Sequence, residues 1–66
     1  MTSDLDVYRA AKLLIEQFGE EAAVRAADRA DALLAEGDLD GALIWRAIGE
    51  AIEGLQRGRR PREAVN

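Results

Sequence analysis

Sixty-six residues hold one domain at most, and a chain this short buries only about 60 % of the surface it exposes when unfolded. It has no cysteine and no histidine, which excludes disulfides, thiolate metal sites and imidazole chemistry. The formal net charge of −4 divides unevenly: residues 1–56 carry twelve acids against five bases, −7, and residues 57–66 carry four arginines against Glu63, +3.

The first helix is expected to begin near Asp4, because Ser3 with Asp6 three residues on fits the capping-box pattern. Val7, Tyr8, Ala11, Leu14, Ile15 and Phe18 cluster on one face, and Gly19 is placed to end the helix. Leu13 falls outside that stripe, among Arg9, Gln17 and Asp6 on the wet side. A second helix follows at once, with Glu20 and Glu21 where the dipole favours acids. Its inner stripe reads Ala23, Ala26, Ala27, Ala30, Leu33 and Leu34, and Glu21 is spaced to pair with Arg25. A mostly alanine stripe buries little area but lets a neighbour approach to the short end of the usual ~8–10 Å.

Gly37 closes the second helix, and Asp38 is placed as N-cap of a third, with Asp40 in its first turn. Here Trp45, Ile48, Ile52 and Leu55 form the inner stripe beside Ile44 and Ala51, with Trp45 the expected packing centre. Leu39 and Leu43 lie on the opposite side. Gly49 sits mid-helix at a cost of up to about 1 kcal/mol relative to alanine. Either a neighbouring backbone passes close there, or the cost is tolerated. From Gly54 onward the glycines, Pro61 and the arginine run are expected to end the helix.

The expected fold class is all-α: three short helices in a small bundle, a helical hairpin plus one, completed by self-association. Residues 1–56 make the three-helix domain and residues 57–66 a flexible arginine-rich tail. No apolar run reaches membrane-spanning length, and the start Met1-Thr2-Ser3-Asp4-Leu5-Asp6 lacks the basic opening of a signal peptide. The expectation is a cytoplasmic protein with no membrane contact.

Little in the chain supports catalysis. Asp28, Asp31, Glu36, Asp38 and Asp40 could gather near the second turn, but a general acid or base needs a pocket to raise its pKa. A domain this small has no room for a cavity of about 300 Å³. The run from Glu36 to Gly41 mimics the start of a calcium loop, yet the twelfth position, which must be a bidentate glutamate, is Ala47. No enzyme activity, metal or cofactor is expected. The candidate sites are therefore surfaces. Leu13, Leu39 and Leu43 form the candidate interface, with the chain itself, as a homodimer, or another protein as partner. Arg57, Arg59, Arg60 and Arg62 form the alternative, a tail for nucleic-acid phosphates, though no aromatic is interleaved to stack on bases.

Gly37-Asp38-Leu39 followed by Ala42-Leu43 resembles the turn and second-helix start of a tetratricopeptide unit, but Arg46 and Gly49 depart from that pattern. About three such units are needed for a core, and only one fits. Over residues 8–55 the chain resembles a group of short, uncharacterised bacterial helical proteins. The carrying residues are Tyr8-Arg9, Ala11, Leu14-Ile15, Gly19, Ala22, Ala26, Arg29-Ala30-Asp31, Leu33-Leu34, Gly37-Asp38, Gly41, Trp45, Ile48, Ala51-Ile52 and Leu55. That resemblance implies the boundaries of the helical body and no activity.

Overall fold

The computed structural model describes residues 3–59, and they are almost wholly helical, with no strand among them. Helix α1 spans Asp4–Phe18, a 3-10 turn covers Gly19–Glu21, α2 spans Ala22–Ala35 and α3 spans Leu39–Arg59. Ser3 caps α1 as its spacing requires: its hydroxyl accepts from the Asp6 amide at 3.2 Å. Gly19 ends α1 at φ +59°, with its amide donating to the Ile15 carbonyl.

The α2–α3 connection is built from hydrogen bonds that satisfy both helix ends. The Gly37 amide donates to Leu34 O at 3.0 Å and the Asp38 amide to Leu33 O at 2.9 Å, the paired bonds of a Schellman motif. Gly37 stands at φ +87°, which a side chain would strain. Asp38 Oδ1 then accepts from the Gly41 amide at 2.9 Å. A Cβ on Gly41 would lie 2.7 Å from Asp38 Oδ2, so the cap and the glycine go together.

The core is a seam of small residues. Ala11 of α1, Ala22 and Ala26 of α2, and Ile48 and Ile52 of α3 form its buried centre. Among the large side chains of the described residues only Ile52 is wholly buried, at 0 % exposure. Val7, Leu14, Ile15, Phe18, Ile44, Trp45 and Leu55 pack around this centre half-buried. The most extensive helix contact is α2 on α3, and α1 packs more on α3 than on α2.

Four expectations need correction. Trp45 is not the packing centre; it borders the core half-buried, and Ile52 takes that place. The inner row of α2 is Ala22, Ala26 and Ala30, while Ala27 and Leu34 are exposed. Alanine occurs on so much of α2 that apolar spacing alone fits two neighbouring stripes. Tyr8 lies at the margin of the α1 face and is exposed. Finally, α3 does not end at Gly54 but runs to Arg59, past residue 56. Beyond Gly54 its last turns still hold contacts: Leu55 packs on the core and Gln56 Nε2 donates to Gly19 O at 2.9 Å. An interior glycine costs only about 1 kcal/mol, which such contacts offset.

Gly49 also resolves simply. A Cβ there would meet Ala26 Cβ at 3.6 Å, an ordinary contact. Gly49→Ala is therefore expected to raise stability by up to about 1 kcal/mol through helix propensity. Urea unfolding measures this, and a lower midpoint would show that α2 and α3 have no room for the methyl. Ile52→Ala is expected to remove roughly 2–5 kcal/mol. That approaches all the stability of so small a domain, so the thermal transition should lose its cooperativity. A sharp transition within a few degrees of wild type would contradict this.

Candidate interaction surface

Because α1 and α2 both lie on the Ile48–Ile52 side of α3, the opposite side of α3 has no neighbouring helix among the described residues. Leu39 and Leu43 fall on that side, one turn apart, at 61 % and 65 % exposure. Neither α1 nor α2 covers them. The i, i+4 row they begin continues to half-buried Ala47. Exposed Asp40, Arg46 and Glu50 border the row, so an apolar start passes into charge along the helix.

The turn before α3 holds this surface in place. With the Asp38 carboxylate fixed on the Gly41 amide and the Schellman bonds closing α2, the direction in which α3 leaves α2 is set within a few residues. At the far end, Gln56 ties α3 to the α1–α2 turn at Gly19. Arg25 crosses the same corner: its guanidinium lies 4.5 Å from the Phe18 ring centroid and 3.7 Å from Glu21 Oε1. Both partners of that ion pair are mostly exposed, so its contribution is small.

Leu13, at 55 % exposure, belongs to a different face. It sits on the outer side of α1 with exposed Arg9 and Gln17 one turn to either side. Leu39 and Leu43 are thus brought together, and Leu13 stands apart from them. Leu5, Tyr8, Val24 and Leu34 are further exposed apolar residues that the sequence reading did not single out as surface. The alanine neighbours of Leu34 suggest an inner position, whereas the rotation of α2 leaves it exposed.

Of the four arginines, Arg57 is exposed on the last turns of α3 and Arg59 is the final helical residue. Arg60 and Arg62 lie outside the described residues. Asp38 is committed to its cap, and among the described residues no three acidic side chains converge as a metal site would require. A shallow groove runs between Lys12, Ile15 and Glu16 of α1 and Leu55 of α3. A second, lined by Ala23, Ala27, Trp45, Gly49 and Glu53 among others, separates α2 from α3. Charged side chains rim both: Lys12 and Glu16 the first, Arg46, Glu50 and Glu53 the second. No helix among the described residues is long and apolar enough to cross a membrane.

No protein-family model, curated protein or solved structure matches the chain.

The cap and the far tie make separate demands on stability. Asp38→Ala is expected to cost about 1 kcal/mol, typical of a lost N-cap, with helical content otherwise retained. Thermal unfolding followed by circular dichroism measures it. An unchanged midpoint would show that the Asp38–Gly41 bond does not hold the start of α3.

Proposed function

We propose that the chain is a small non-enzymatic interaction module that pairs with a second copy of itself through the outward face of α3. On this reading the α2–α3 hairpin and α1 form a small bundle, and the partner completes it. The observation that carries the proposal is the exposure of Leu39 and Leu43, 61 % and 65 %, on one uncovered helix face. Single exposed leucines are ordinary on soluble proteins, but two in register at the start of the best-packed helix are a patch. Each large apolar side chain moved from water into an interface contributes roughly 1.5–3 kcal/mol, and a two-fold dimer uses each patch twice.

The small core supports the same reading. With a single wholly buried large side chain among the described residues, a domain of this length has little stability of its own, and no disulfide is available to add more. Association with a second copy supplies apolar burial that the chain lacks within itself.

Leu39→Glu together with Leu43→Glu tests this. Both residues are exposed within one chain, so the variant is expected to keep its helical circular dichroism while its light-scattering mass falls by half. A folded variant with unchanged mass would overturn the proposal, as would a wild-type protein that stays monomeric at millimolar concentration.

A further inference from the structure

Among the described residues, Gln56 makes the one side-chain hydrogen bond that joins residues far apart in sequence. Its Nε2 donates to Gly19 O at 2.9 Å, tying the last turns of α3 to the turn between α1 and α2. Those last turns have little else to keep them helical. Gly54, Arg57 and Gly58 are exposed, and a Cβ on either glycine would meet nothing within 4 Å. Of residues 54–58 only Leu55 and Gln56 are half-buried. Each interior glycine weakens a helix about fivefold relative to alanine, and one hydrogen bond strengthens it by about as much. Two glycines thus stand against one bond and one half-buried leucine. Letting go also strands no polar group. Gly19 is exposed, so water replaces the side-chain amide of Gln56, and the Gly19 carbonyl keeps the Ala22 backbone amide that it already accepts.

We propose that residues 54–59 form a strap that unwinds as one unit while the bundle stays folded, with the Gln56–Gly19 bond as its catch. Closed, the strap holds Leu55 in the groove that it lines with Ile15 of α1, and it keeps Arg57 on a rigid helix. Open, it takes Leu55 away from that end of the core and releases the basic end of α3. Nothing in this device requires a second copy of the chain. Any ligand that binds one form better than the other shifts the strap towards that form.

Simple fraying of a helix end is the competing account, and amide hydrogen exchange of the full chain, followed by NMR, separates the two. Alanine is the better helix former, so under fraying Gln56→Ala leaves the amides of Arg57, Gly58 and Arg59 as protected as before, or more so. With Gln56 as the catch, protection at all three is expected to fall together, by about threefold or more. Circular dichroism confirms that the variant is folded. The second measurement needs no variant. Urea too dilute to unfold the chain is expected to speed exchange at Ile48 and Ile52 while leaving those three amides nearly unchanged, because unwinding the strap exposes little surface. Protection that survives Gln56→Ala overturns the catch. Exchange at Arg57, Gly58 and Arg59 that rises with urea in step with Ile52 overturns the strap, since those turns then open only with the whole bundle.

Discussion

The contact of α2 with α3 through small residues is the constraint on which the rest of this structure depends. Ala22, Ala26 and Ala30 are the buried row of α2, and Gly49 of α3 stands so near that a Cβ there would touch Ala26. Two helices meeting through methyl groups and a glycine come close, but they bury little apolar area. Burying a methyl-sized group contributes about 0.8 kcal/mol, against roughly 1.5–3 kcal/mol for a whole isoleucine or leucine. The seam therefore leaves Ile52, with Ile48, to supply most of the large buried surface. Most of the remaining large apolar side chains are shared out along the edges, half in water.

A narrow core also makes the helix ends matter more. Gly19 and Gly37 turn the chain where helices stop, and Asp38 restarts it by accepting from the Gly41 amide in the first turn of α3. Gln56 and the Arg25–Phe18 contact close the opposite corner. These local bonds fix which face of α3 meets α1 and α2, and by the same act fix which face turns away from both. The uncovered Leu39 and Leu43 are a consequence of that geometry. A chain that packed larger residues between α2 and α3 would bury more apolar area within itself.

Much of this was legible in the sequence where one residue type admits one use. Ser3, Gly19, Gly37 and Asp38 announced the helix boundaries because few other residues cap, or adopt positive φ, so readily. Exposure of Leu39 and Leu43 followed from their place opposite Ile48 and Ile52. What the sequence could not settle was rotation and rank. The alanines of α2 fit two adjacent stripes equally, and the stripe that includes Leu34 is not the one the structure buries. Size favours Trp45, but position decides burial, and it is Ile52 that shares the buried centre with Ala11 of α1 and Ala22 and Ala26 of α2. The end of α3 was misread at Gly54 because helix propensity is local, while the contacts of Leu55 and Gln56 that carry the helix onward come from α1 and the turn at Gly19.

If the small core relies on a second copy, folding and association are linked, and stability must depend on concentration by mass action. The most direct measurement is the thermal midpoint of the wild-type chain over a hundredfold or so range of concentration, with the mass taken at each point. A midpoint that rises steadily while the mass climbs from one chain to two is the predicted result. A midpoint that does not move, with the mass of a single chain throughout, would contradict the account.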